Sequence, residues 1–178
     1  AFSFVTDNAG RVDSEGLEVD FAYLPTSVEG LTVSGSLAWD QSEFDEFTNA
    51  ETGVVLDGRR LGQSPEWSGT LGAEYFRPLA GTGWDLTLSY LLSYSGDYFV
   101  ENSRLIDYQQ DAFTTHDLAL RLGHQNWEFT LAGVNLTDEI YAVFGNISPG
   151  VNRQDAEADL AIQENVGRLV TASVSYRF

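Results

Sequence analysis

The sequence predicts an all-β protein, an antiparallel transmembrane β-barrel with about eight strands present, and three observations carry that reading. Apolar and polar residues alternate with a period of two along most of the chain, so each segment has one apolar and one polar face. From residue 25 onward short and long connections follow one another in strict turn, the short "DNAG" turn at residues 7–10 being the exception. Large aromatic residues gather near segment ends on the apolar side.

The segments run as follows. An amino-terminal stub, "AFSFVT", is followed by the short "DNAG" turn at residues 7–10. "GLEVDFAYL" sends Leu17, Val19, Phe21 and Tyr23 to one face and Glu18, Asp20 and Ala22 to the other. "LTVSGSLAWD" sets Leu31, Val33, Leu37 and Trp39 against hydroxyls, Ala38 and Asp40. Trp67, Leu71, Ala73 and Tyr75 of "EWSGTLGAEYF" oppose Ser68, Thr70, Gly72 and Glu74. "WDLTLSYLLSY" opposes Trp84, Leu86, Leu88, Tyr90, Leu92 and Tyr94 to Asp85, Thr87, Ser89, Leu91 and Ser93. "HDLALRLG" and "WEFTLAGV" add Leu118, Leu120, Leu122, Trp127, Phe129 and Leu131 to the apolar side. The last segment, "GRLVTASVSYRF", places Val170, Ala172, Val174, Tyr176 and Phe178 on one wholly apolar face. No segment has a helical period.

The connections at residues 25–30, 77–83 and 123–126 are short and rich in turn formers, whereas 47–64, 101–111 and 137–166 are long. Strands of an outer-membrane barrel are joined in this way, by short turns at one end and long loops at the other. A soluble antiparallel sheet with one wet face gives the same alternation, and a soluble sandwich is the weaker alternative. Trp67, Trp84, Trp127, Tyr75, Tyr94 and Phe178, near segment ends, fit a membrane interface better than a sandwich core.

Composition removes several classes of function. The formal net charge is -18, with only nine Lys plus Arg, which excludes the basic footprint that nucleic acid requires. With no cysteine there is no disulfide, thiolate metal site or cysteine nucleophile. No apolar run approaches the roughly 18 to 20 residues of a membrane helix, so any membrane is crossed by strands. The chain starts at Ala1 and contains no methionine, and it is expected to be a mature or truncated piece of a longer product.

Candidate catalytic chemistry is poor. His116 and Asp117 are adjacent on a strand and so point to opposite faces, and His124 falls in a turn. "DAEAD" at 155–159 lacks the glycine and terminal glutamate of an EF-hand loop. Neither a catalytic residue nor a metal site nor a cofactor is expected. Glu18, Asp20, Asp40, Glu74, Asp85, Asp117 and Glu128 read as the polar lining of a wet interior, with Arg121 and Arg177 as available partners.

"NAGRVDSEGLEVDFAYLP", "LGQSPEWSGTLGAEY", "NWEFTLAGVNLTDEIY" and the closing "GRLVTASVSYRF" resemble the carboxyl-terminal part of TonB-dependent outer-membrane receptors. The most specific element is Asn135-Leu136-Thr137-Asp138 followed by Tyr141, with a last strand that ends in aromatic-Arg-Phe. The resemblance implies that residues 1–178 are the carboxyl-terminal portion of a larger barrel whose plug domain lies elsewhere. It also implies an outer membrane of a Gram-negative bacterium as location, and import of a chelated nutrient such as a ferric siderophore. Energy would come from the TonB complex through the missing part, cobalamin or a glycan being alternative cargo. By the same resemblance Tyr176 and Phe178 form the signal read by the barrel assembly machinery, besides facing the lipid bilayer.

Contact with a small-molecule chelate is expected from the long loops. Tyr98, Phe99, Arg104, Tyr108, Tyr141, Phe144 and Arg153 combine stacking surface with cationic donors there. Tyr98 and Tyr141 fit an outer aromatic girdle equally well. A complete eight-strand barrel with a structural or adhesion role is the alternative, since such barrels have about this length. Against it, the stub has roughly six residues where a tilted spanning strand needs about 9 to 11.

Overall fold

The computed structural model describes residues 10–48, 54–102, 107–149 and 158–178. Its strands are β1 (Arg11–Tyr23), β2 (Leu31–Glu46), β3 (Trp67–Leu79), β4 (Trp84–Ser95), β5 (Tyr98–Phe99) and β6 (Gln109–Gln110). They continue with β7 (Phe113–His124), β8 (Trp127–Val134), β9 (Ala142–Pro149), β10 (Ala158–Glu164) and β11 (Leu169–Tyr176). Seven of them form one sheet in the order β1-β2-β3-β4-β7-β8-β11, and every pair in it is antiparallel. Among the described residues the sheet is open, with β1 and β11 at its two edges. Strands of 12 to 13 residues, such as β1, β3, β4 and β7, extend about 40 Å and, at a tilt of about 45°, cross about 30 Å of hydrocarbon.

The register carries the expected alternation across all seven strands. One row runs Val19↔Leu37↔Gly69↔Tyr94, and another runs Tyr75↔Leu88↔Leu120↔Leu131↔Ala172. Paired residues share a face, so one side of the sheet is apolar from edge to edge. That side is open to its surroundings: Leu17, Val19, Leu37, Leu71, Leu88, Leu131 and Val174 are all exposed. Leu86 and Tyr90 are half-buried, within one sheet rather than between two. The opposite face pairs Asp20 with Ser36, Glu74 with Thr32 and Ser89, and Arg121 with Thr87 and Thr130. Arg121 reaches Glu128 at 3.8 Å.

Four boundaries differ from the sequence reading. β1 begins at Arg11, five residues before the alternation is clean, because its outer part pairs with an extended β2 through a register shift at Arg11/Val12. β3 runs through Arg77-Pro78 to Leu79, and β4 pairs it throughout, so the first part of the expected 77–83 turn is strand. The connection 137–166 is not plain loop: β9 and β10 form a separate two-stranded ladder within it. β5 and β6 make a shorter one inside the connection between β4 and β7. The stub at residues 1–6 lies outside the described residues.

Candidate functional site

All long connections leave the same end of the sheet, and the structure sews three of them together. Residues 54–66 turn back along the outer half of β2, where Phe44 N donates to Arg59 O (3.0 Å) and Leu61 N to Ser42 O (2.9 Å). The Asp40 carboxylate fastens this segment to the wall by accepting from the hydroxyls of Ser64 (2.5 Å), Ser42 (2.8 Å) and Ser14 (3.1 Å). The next connection lies alongside, with Gln63 N donating to Phe99 O (2.7 Å) and Gly62 N to Asn102 Oδ1 (2.5 Å). β9 docks onto that one: Gly145 N donates to Val100 O (3.2 Å), Ala142 N to Gln110 Oε1 (2.9 Å), and Tyr98 Oη to Ala142 O (2.5 Å). A small core of Tyr98, Val100 and Ala142, flanked by Phe113 and Leu160, forms beneath these bonds.

Between the first two connections lies a cleft of about 450 Å³ lined by Asp57, Gly58, Arg59, Arg60, Phe99 and Asp107. Both guanidinium groups sit over one ring, Arg59 at 4.1 Å and Arg60 at 5.6 Å from the Phe99 centroid. Such cation–π contacts are strongest where water is excluded, and the Arg59 side chain is only 7% exposed. Arg59 pairs with Asp107 and stands 3.7 Å from Glu101, while Arg60 pairs with Asp97 at 2.5 Å. The hydrogen bond from Arg60, joined by one from Gln109, holds the Asp97 carboxyl below its ordinary range against the opposing effect of burial. Arg59 Nε is buried with no acceptor among the described residues. The cleft therefore presents an aromatic floor, a buried donor with no acceptor among the described residues, and carboxylates that offset its positive charge.

The sequence matches the family model "TonB dependent receptor-like, beta-barrel" over residues 1–136. The chain belongs to the TonB-dependent receptor β-barrel family. Its members are outer-membrane receptors and transporters rather than enzymes. The fold is similar to that of the ferric yersiniabactin uptake receptor FyuA from Yersinia pestis (TM-score 0.73, 20% identity, 96% of this chain and 24% of that one). It is also similar to the siderophore receptor PiuA from Acinetobacter baumannii (TM-score 0.69, 17% identity, 93% and 22%). BauA, the ferric preacinetobactin receptor of the same organism, gives a TM-score of 0.67 at 21% identity over 93% and 22%. The chain thus spans about a quarter of the length of these structures. No curated protein matches the sequence significantly.

In this receptor barrel the Asn135–Tyr141 element is a latch where β8 ends. Asn135 is buried and takes a left-handed φ of 52°. Its amide side chain bonds Glu139 in both directions, donating to Glu139 O (2.8 Å) and accepting from Glu139 N (3.0 Å). Its backbone N–H donates to Asp117 Oδ1 (2.8 Å) on β7, and Asp138 Oδ1 accepts from Arg168 N (2.8 Å) just before β11. Gly167, at φ 71°, fits against that carboxylate, where a Cβ would lie 3.0 Å from Asp138 Oδ1. Asp117, read as wall lining, thus closes the turn that follows β8. His116 faces the other way, with Nδ1 2.7 Å from Tyr90 Oη.

The loop residues singled out from sequence are divided by the structure. Tyr98 is buried and packs edge-on to Phe113, which stacks at 4.0 Å on Tyr141. Phe99 floors the cleft. Tyr108 and Phe144 are exposed, Tyr108 next in sequence to the cleft residue Asp107 and Phe144 on β9. Arg104 and Arg153 lie outside the described residues. Tyr176 and Phe178 meet edge to face at 5.2 Å, with Phe178 fully exposed. Arg59 and Arg60, the two cations nearest Phe99, lie in the long connection 47–64 and are not among the loop residues that the sequence marks. Their partners at 97, 101 and 107 are some 40 residues away in sequence, and no local pattern joins them.

Proposed function

We propose that these residues form the carboxyl-terminal strands of a larger outer-membrane barrel that imports a ferric siderophore with energy relayed by the TonB complex. The observation that carries the reading is the interlocked loop cluster at one end of a wall that is apolar on one face and polar on the other. Its cleft offers Phe99 for stacking and Arg59 and Arg60 as donors to a chelate's oxygens, with acids nearby that disfavour a bare anion. The similar structures named for ferric siderophores support the cargo class, and Tyr108 and Phe144 are further contacts in this proposal. The plug and the TonB-contacting segment belong to the remainder of the longer protein. The edges at β1 and β11 weigh against a small self-closed barrel, since unpaired backbone groups in hydrocarbon cost several kcal/mol each.

The test is uptake of radiolabelled iron, presented as a panel of ferric siderophores, by cells with the full-length receptor, with and without TonB. TonB-dependent accumulation of at least one chelate is expected, and Phe99→Ala should weaken its binding about tenfold at unchanged receptor abundance. Uptake that ignores both TonB and Phe99→Ala would overturn the proposal.

A further inference from the structure

The other end of the wall holds a second cleft, of about 690 Å³, between the turn at 25–30 and the end of β3; Val28, Glu29, Tyr75, Arg77 and Pro78 are among its lining residues. We propose that it seats the headgroup of a zwitterionic phospholipid, with the phosphate on Arg77 and Tyr75 and the ammonium on Glu29.

Arg77 stands on the apolar face. Its register partner on β4 is Leu86, which pairs in turn with Leu122, and Tyr75, on the same face, pairs with Leu31 and Leu88. A cation is costly at the middle of a lipid-facing surface and cheap at its rim, and Arg77 lies two residues from the end of β3. Its stem can lie along the apolar surface while the head reaches the headgroup layer. Arg77 is exposed and donates to Tyr75 Oη at 3.1 Å, and it makes no ion pair among the described residues. Arg59 and Arg60, by contrast, are already paired with acids.

An open guanidinium fork is the side chain best matched to a phosphate diester. Tyr75 Oη accepts from Arg77, which leaves its own O–H to donate to a phosphate oxygen. Glu29 makes a purely anionic headgroup a poor fit. It suits a headgroup that carries a primary ammonium a few atoms from the phosphate. The exposed apolar face on which Leu88 and Leu71 lie continues from this rim and accepts the acyl chains.

Native mass spectrometry of the full-length receptor in mild detergent, with defined lipids added, tests the proposal. Phosphatidylethanolamine adducts should exceed those of phosphatidylglycerol and of diacylglycerol. Arg77→Gln should weaken phosphatidylethanolamine binding about tenfold, and Arg77→Lys should weaken it less. Glu29→Gln should remove the preference over phosphatidylglycerol while retaining phosphate-dependent binding. Soluble phosphorylethanolamine should compete only weakly, because it lacks the chains. Equal adducts for all three lipids, a preference for phosphatidylglycerol, or an Arg77→Gln variant that is folded by heat-modifiable gel mobility and binds as wild type would overturn it.

Discussion

The seven-strand wall and the loop cluster above it obey opposite rules of burial. In the wall, leucines and valines stand exposed in register on one face and hydroxyls and carboxylates line the other. In and beside the loops, Phe44, Leu56, Tyr98, Val100 and Ala142 are buried, and these are the buried hydrophobic residues among those described. The wall therefore depends on lipid for its hydrophobic stabilisation, whereas the loops carry a core like that of a soluble domain. The lesson is that one chain can hold two units that respond to different solvents, and each can be perturbed without the other.

The largest separation should come from Tyr98→Ala. Truncating a large buried aromatic costs about 3 to 5 kcal/mol, here paid by the loop cluster alone. Limited proteolysis should then cut near residues 54–66 and 98–112, while the wall keeps its heat-resistant gel mobility. Simultaneous loss of the wall would show that the two regions are one cooperative unit. Next in size is Leu88→Arg against Ser89→Arg, neighbours near the middle of β4 on opposite faces. Unfolding from vesicles should show a loss of about 2 to 4 kcal/mol for Leu88→Arg and much less for Ser89→Arg. Equal losses would break the two-face assignment.

Deleting Phe178 removes at most about 1.5 to 3 kcal/mol of apolar burial, so refolding into detergent should stay nearly normal. If Phe178 is also read by the assembly machinery, outer-membrane abundance in cells should fall. Equal loss in both assays would leave only a packing role, and loss in neither would leave an ordinary interface ring.

The smallest expected effect is that of acid on the clamp between Asp97 and Arg60. The folded-state pKa of Asp97 is depressed, so its contribution is present above the unfolded value of about 3.9 and is lost as pH falls through the folded value. Hydrogen exchange in residues 54–66, corrected for intrinsic rate, should thus be flat from about pH 7 to pH 5 and rise only in stronger acid. With Asp97 46% exposed the rise should be slight, and Asp97→Asn should abolish it.

How far each region could be read in advance follows from the same contrast. The alternation in β4 is visible because a strand facing lipid on one side and water on the other repeats every two residues. "AVFGNISP" of β9 has no such repeat, since it pairs outside the wall, and Asn146, Ser148 and Pro149 make it read as loop. The Phe99 floor was legible as a loop aromatic, but the arginines above it were not, because only tertiary folding brings residues 59 and 60 to it. The Asn135 element could be recognised by resemblance. Its work as a latch could not, because Asp117 comes to it from β7 and Arg168 from the residue just before β11.

The central claim is that the apolar face meets lipid and the opposite face water, and the sequence, free of cysteine, suits a direct test. Single cysteines placed in turn at positions 86 to 93 of β4 in the full-length receptor can be spin-labelled in vesicles. Collision with dissolved oxygen and with a water-soluble nickel chelate is then measured at each. Labels at 86, 88, 90 and 92 should favour oxygen and those at 87, 89, 91 and 93 the nickel chelate, a strict alternation of period two. A profile in which neighbouring positions are equally accessible to both reagents, or in which the even positions favour the nickel chelate, would contradict the account.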